Sequence, residues 1–192
     1  MSAIAPIAGL VLAGGRSSRM GEDKALIDYH GRPQYQHVFE LLSAAMPSVF
    51  ISCRPAQQEL FQSLPVITDE LEDIGPMAAL LAAFTHNPAT AWLVLGCDYP
   101  NFGEAQVRKL LQHRNPDAFA TAFFNAERQW PEPLLAIWEP VAHGALKAAH
   151  ANGQHSLRRL LEAQNSVYLE PKQSASIASF DSPQSRDNFH RQ

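Results

Sequence analysis

The segment Leu12-Ala13-Gly14-Gly15-Arg16-Ser17-Ser18-Arg19-Met20-Gly21-Glu22-Asp23-Lys24 collects the residue types that an oxyanion needs. Glycine lacks a Cβ, so the backbone at Gly14 and Gly15 can approach a ligand closely or turn with positive φ. Successive N–H groups presented in this way form an anion-binding nest. Ser17 and Ser18 add hydroxyl donors. Arg16, Arg19 and Lys24 place three cations within nine residues of a chain that is acidic overall. Arginine can fork a phosphate through two N–H groups, and lysine acts on it as a point charge. The chemistry implied is phosphate binding. Spacing excludes two familiar phosphate loops. A Walker A loop needs lysine and a hydroxyl residue directly after its second glycine, whereas Glu22-Asp23 follow Gly21. The G-x-G-x-x-G dinucleotide spacing is also absent. The plainer alternative is an ordinary strand-to-helix turn with a solvated basic patch.

Carboxylates form the second constellation. Asp98 lies in Gly96-Cys97-Asp98-Tyr99-Pro100, directly after an apolar run. It could serve as a helix cap or turn residue, or as an oxygen ligand at the end of a strand. Asp69, Glu70, Glu72 and Asp73 read as a solvated acidic loop, or with Asp69 as a ligand contact. Cys97 has no histidine nearby in sequence to activate it and reads as a small buried hydrophobe. The eight histidines show no metal-binding spacing such as H-E-x-x-H. His155, Arg158 and Arg159 form either a basic patch or the exposed face of a helix. Trp130-Pro131-Glu132-Pro133 reads either as the wall of a pocket or as a rigid loop entering a strand.

The elements that must position these residues follow from hydrophobic periodicity. Strands are expected at 7–12, 49–51, 66–67, 92–95, 118–124, 134–138 and 167–169. Helices are expected at 32–45, 57–62, 77–84, 104–113, 141–151, 156–163 and 183–189. The first half therefore reads βαβαβαβ. Short apolar strands between helices imply a three-layer α/β/α fold around a mostly parallel, Rossmann-like sheet. Ligands of such sheets bind at the carboxyl ends of strands near a switch point. That rule selects the loops after Leu12 and after Leu95.

Composition narrows the function classes. The 192 residues suggest a single domain, with 46 % hydrophobic and 18 % charged residues as in a globular protein. A formal net charge of -4 disfavours nucleic acid as a partner. Two cysteines, Cys53 and Cys97, cannot build a disulfide framework or a four-cysteine zinc site. The first twelve residues lack the features of a signal peptide, and no apolar run approaches a membrane span. A cytoplasmic enzyme without a membrane partner is expected.

The loop resembles a known signature. Leu12-Ala13-Gly14-Gly15, then Ser17, Arg19-Met20-Gly21 and Asp23-Lys24 are similar to the nucleotidyltransferases related to molybdenum cofactor guanylyltransferase, the MobA-like family. The likeness continues through Pro33–Leu42, Asp69, Gly75-Pro76-Met77-Ala78-Ala79-Leu80, Gly96-Cys97-Asp98-Tyr99-Pro100 and Pro131-Glu132-Pro133-Leu134. It implies a nucleotide-diphospho-sugar transferase type of fold in one domain, 1–192. The nucleotide-binding half would be about residues 1–100 and the acceptor-side half about 101–192.

The resemblance also implies roles. Leu12, Ala13, Gly14, Gly15, Ser17, Lys24, Asp69 and Asp98 match nucleotide-binding positions. Arg19, Lys24 and Asp98 match catalytic ones. Asp98 matches the Mg²⁺ ligand, with Asp181 as a second candidate. The implied reaction moves GMP from GTP to molybdopterin or its molybdenum form, with transient contacts to other molybdenum cofactor enzymes. Relatives that transfer CMP usually carry Leu-Ala-Ala-Gly, so Gly14 points to GTP. Two positions depart from the pattern. Cys53 stands at or beside the place of a nucleotide-contacting asparagine. Ser179-Phe180-Asp181-Ser182-Pro183 stands where the family tends to show N-x-N-T-P. A CMP- or sugar-phosphate-transferring enzyme and a non-catalytic nucleotide-binding homologue are the alternatives.

Overall fold

A computed structural model describes residues 4–14, 23–61 and 63–180. Among these described residues, seven strands form one sheet. They are β1 (Ile7–Leu12), β2 (Val49–Cys53), β3 (Val66–Thr68), β4 (Ala91–Gly96), β5 (Ala120–Asn125), β6 (Trp130–Trp138) and β7 (Val167–Leu169). Five α-helices accompany them: α1 (Gln34–Ser43), α2 (Met77–His86), α3 (Glu104–Gln112), α4 (Ala142–Ala151) and α5 (Leu157–Ala163). The strand order is β3-β2-β1-β4-β6-β5-β7. Only β6 runs antiparallel to its neighbours, β4 and β5. The expected mostly parallel α/β sheet is present.

The central strands show why the fold has three layers. All of β4 is buried. Trp92 and Val94 join a core that includes α2, α4 and α5 residues such as Leu80, Leu146 and Leu161. Leu93 and Leu95 join the opposite core with Val38 and Leu42 of α1 and Val107 and Leu110 of α3. Strand side chains alternate between faces, so a continuous apolar run supplies both cores. Burying one such side chain contributes about 1.5–3 kcal/mol.

Several boundaries differ from expectation for local reasons. Helix α1 begins at Gln34, because a residue before proline is driven away from the helical region and Arg32 precedes Pro33. The segment expected as a helix over 57–62 is a 3-10 stretch, Pro55–Phe61. Lys24–Leu26 and Ser174–Ile177 are further 3-10 turns. The largest difference is at Trp130–Pro133, which belongs to β6 rather than to a loop before it. Ala122 pairs with Ala136 while Phe123 pairs with Glu132, so Pro133, Leu134 and Leu135 bulge out of the β5–β6 pairing, with Leu135 still level with Leu95 of β4. Proline lacks an N–H and is tolerated at such a bulge. The helix expected over 183–189 lies outside the described residues.

The chain order places a switch point at β1. Strands β2 and β3 lie on one side of it, and β4 lies on the other. Leu12 is level with both Ser52 and Gly96. Cys53 is level with Thr68. Four loops therefore leave the sheet along one edge.

Candidate functional site

A cavity of about 710 Å³ opens at that edge. Its walls include Leu12, Ala13, Gly14, Lys24, Asp69 and Asp98 from among the residues singled out in the sequence. Strand ends and loops bring these residues together across the switch point, as the crevice rule expects. Gly15, Arg16, Ser17, Ser18, Arg19 and Asp181 lie outside the described residues.

The β1 exit is packed closely. A Cβ added at Gly14 would stand 3.3 Å from Cys53 Cα, 3.4 Å from Arg54 N and 3.4 Å from Asp69 Oδ2. Glycine therefore lets the ends of β1 and β2 approach each other. Lys24 opens its 3-10 turn behind Asp23, whose Oδ1 accepts from Ala25 N at 3.1 Å. Asp23 Oδ2 accepts from Gln57 Nε2 at 2.6 Å. Ala13, Asp23, Lys24, Ser52 and Arg54 share the cavity wall.

Cys53, the position that departs from the family pattern, is fully buried and packs in the core with Val11, Val38 and Ile51. Burial, then the negative charge of Asp69, pushes its thiol up to about 11. The cavity is lined by its neighbours Ser52 and Arg54 instead. Burial raises Asp69 to about 6, against the opposing pull of the Arg54 guanidinium. Glu70, Glu72 and Asp73 continue this acidic wall.

The opposite wall carries Asp98. A Cβ at Gly96 would stand 2.5 Å from Asp98 Oδ1, so glycine vacates the space the carboxylate occupies. The loop around Asp98 is held from three directions. Tyr99 Oη donates to buried Glu132 Oε2 at 3.0 Å. Phe180 N donates to Asp98 O at 2.7 Å, and Phe180 packs edge-on to Tyr29. His30 Nε2 contacts Pro100 O at 3.0 Å. Cys97 is buried, and its thiol is held neutral by burial and by the charges of Asp98 and Asp23.

Asp98 fits a divalent cation of the magnesium kind. Among the described residues no group of three or more His, Cys, Asp or Glu side chains could hold a metal. Magnesium commonly takes one or two carboxylates and completes its shell with substrate phosphates and water. A single carboxylate in a cradle left open by Gly96, on the wall of the cleft, suits that donor set.

The bulge of β6 delivers Leu134 to the cavity. Trp130 does not line it and is flanked by Arg158 at 4.8 Å and Arg128 at 5.7 Å from its ring centroid. Arg158 also pairs with Glu162 at 3.8 Å, and His155 contacts His150 at 3.3 Å. Sequence reading missed Arg54 and Gln57, and it named Tyr99, Glu132 and Leu134 only as members of longer stretches without roles of their own. Arg54 was within reach, since it directly follows a strand whose carboxyl end faces the crevice. Gln57 carries no such signal.

Comparison with known proteins agrees with this geometry. Residues 9–167 match the family model for the MobA-like NTP transferase domain. The chain is 36 % identical over 161 residues to the molybdenum cofactor guanylyltransferase of Serratia proteamaculans, covering 82 % of this chain and 80 % of that protein. It is 35 % identical over 181 residues to a molybdenum cofactor biosynthesis bifunctional protein of Synechocystis, covering 93 % of this chain. It spans 52 % of that longer relative. The molybdopterin-guanine dinucleotide biosynthesis protein A of Archaeoglobus fulgidus shares the fold, with a TM-score of 0.80 at 23 % identity and coverage of 96 % and 97 % of the two chains. With its glycine-bearing β1 exit and aspartate-bearing β4 exit facing one cleft, the chain belongs to the MobA-like NTP transferases.

Proposed function

We propose that this chain transfers GMP from GTP to the terminal phosphate of molybdopterin, or of its molybdenum form, and releases pyrophosphate. The observation that carries the reading is the meeting of Leu12, Ala13, Gly14, Lys24, Asp69 and Asp98 at one cleft. The names of its relatives supply the acceptor class. An oxygen of the acceptor phosphate forms a bond to the α-phosphorus of GTP. The bond from that phosphorus to the bridging oxygen breaks, and pyrophosphate leaves with the electron pair. The acceptor phosphate is ionised near neutral pH, so no general base is needed. Positioning and charge neutralisation do most of the work in such transfers.

Backbone donors of Gly14 and Gly15, with Ser17, Arg19 and Lys24, hold the β- and γ-phosphates and steady the leaving group. Asp69 contacts the nucleoside end. Asp98, with Asp181 as a second ligand, would hold Mg²⁺, which would supply charge neutralisation at the α-phosphate. Residues to about 100 form the nucleotide-binding half of one domain spanning 1–192, and residues from about 101 the acceptor-side half. Among the described residues no helix is long and apolar enough to cross a membrane. We place the reaction in the cytoplasm, where the product is handed over through transient contacts with other molybdenum cofactor enzymes. Pyrophosphate release is measured with each nucleoside triphosphate, Mg²⁺ and molybdopterin. Release with GTP that depends on both metal and acceptor is expected. Release with CTP alone keeps the chemistry and overturns the guanylyl assignment. Release with no nucleotide overturns the reaction.

A further inference from the structure

The cations on the β1–β2 wall stand on irregular backbone. Lys24 opens a 3-10 turn, and Arg54 follows the last residue of β2. The carboxamide of Gln57 joins them. Its Nε2 donates to Asp23 Oδ2 at 2.6 Å and to Ala13 O at 3.4 Å. Its Oε1 accepts from Arg54 N at 3.3 Å and from Arg54 Nε at 3.2 Å. Both N–H groups and both acceptor sites of the amide are used. Its orientation is forced, because a carboxylate and a carbonyl only accept while the Arg54 groups only donate. Gln57 is 6 % exposed, although it sits in a surface 3-10 segment. Buried and fully satisfied polar groups of this kind specify one arrangement, and a partly satisfied network is costly. Holding Nε restricts rotation of the guanidinium, so its planar fork stands at the cavity wall from a fixed pivot.

We propose that Gln57 is a positioning residue that locks Arg54 to the Lys24 turn and to the exit of β1, making Arg54 a further phosphate-binding cation of the cleft. This rests on the reading of the cleft as a triphosphate site. The full set of polar partners, two of them from Arg54, marks alignment of charge.

Calorimetric titration with inorganic tripolyphosphate and with GTP tests it, using wild type, Gln57→Leu, Arg54→Ala and the double variant. Gln57→Leu weakens tripolyphosphate binding about tenfold, the scale of a lost hydrogen bond to a charged group. In the Arg54→Ala background the same change costs less than about threefold, because coupled residues are not additive. Gln57→Glu keeps the acceptor for Arg54 and sets a carboxylate against Asp23. Its deficit shrinks as pH is lowered, because two facing carboxylates come to share a proton. That variant also carries the double-mutant comparison should Gln57→Leu fail to fold. Additive losses, with no recovery at lower pH, overturn the proposal and leave Gln57 a scaffold residue. Wild type that binds tripolyphosphate while Gln57→Leu binds it equally well also overturns it, with the nucleotide reading intact. A loss confined to GTP overturns the phosphate role. Wild type that binds neither probe overturns both readings.

Discussion

The two walls of the cleft are built by opposite means. The β1–β2 wall is backbone and polar side chain: Gly14 close against Cys53, and the amide of Gln57 between Ala13, Asp23 and Arg54. The β4–β6 wall rests on buried packing. Leu134 is pushed in by the bulge, Glu132 anchors Tyr99 beneath the loop, and Phe180 and His30 grip it from the side. A wall meant for a large, highly charged group needs many donors in concert. A wall meant to present one carboxylate needs a mount that does not yield. The difference predicts where a mutation will be read in catalysis and where in binding or stability.

The sharpest way to break the comparison is Asp98→Ala. This carboxylate lines the cleft and its wall is held by neighbouring groups, so the fold should survive. Pyrophosphate release at saturating GTP and acceptor should fall about 10²–10³-fold, the scale for losing one key electrostatic contact. Thermal melting should stay close to wild type. Wild-type turnover would remove Asp98 from the metal role. Lys24→Ala belongs to the other wall and should act mainly on the nucleotide. A lost charge-assisted hydrogen bond is worth about 1.5–3 kcal/mol. The KM for GTP should rise by at least about tenfold. An unchanged KM and kcat would take Lys24 out of the site.

Glu132→Ala sharpens the comparison on the packed wall. The change strands Tyr99 Oη and Asn125 Nδ2, both of which donate to this buried carboxylate. Leaving buried partners unsatisfied costs about 1–3 kcal/mol. For a chain of this size the melting temperature should fall roughly 2–4 °C per kcal/mol. Gln57→Leu, on the polar wall, should show a smaller melting shift for its effect on ligand binding. Equal ratios of stability loss to binding loss at the two positions would erase the distinction between the walls.

What could be read in the sequence divides along the same line. All seven strands were legible, β6 only over its second half, because continuous apolar runs, such as Trp92-Leu93-Val94-Leu95, admit few other readings in a doubly covered sheet. The strand-end rule then led to Leu12–Gly14 and Asp98, which do meet at one cavity. The missed part of β6 shows the limit. Two prolines in Trp130-Pro131-Glu132-Pro133 argue locally against a strand, and only pairing with β5 and a bulge makes the segment one. Arg54, Gln57 and the hold of Glu132 on Tyr99 were missed for a related reason. Their roles come from partners distant in the chain or on neighbouring loops, and no spacing in the sequence records such a meeting. Cys53 is the converse case. Its departure from the family pattern suggested a missing nucleotide contact, whereas its side chain belongs to the core and Arg54 faces the cavity.

The smallest expected effect is a pH dependence from the acidic wall. Burial raises Asp69 from an ordinary 3.8 to about 6. Between those values the folded protein holds a proton that the unfolded chain releases. By linkage, the contribution of this group to stability is greatest at low pH and declines as pH rises through about 6. Asp69 is partly exposed, so solvent screens the effect and the slope should be modest. Urea unfolding at a series of pH values, compared with Asp69→Asn, isolates it. The difference in stability between wild type and variant should change across about pH 4–6 and level off above that range. The same proton bears on ligand binding. A neutral Asp69 loses its charge as an acceptor for donors on a nucleoside, while the Arg54 guanidinium offsets the repulsion of phosphate by an ionised one. GTP affinity should therefore rise from about pH 5 to about pH 7 in wild type. In Asp69→Asn that part of the rise should vanish, and tripolyphosphate binding should show little of it in either protein. A tripolyphosphate profile that follows Asp69 as closely as the GTP profile would place the carboxylate beside the phosphates and remove it from the nucleoside end.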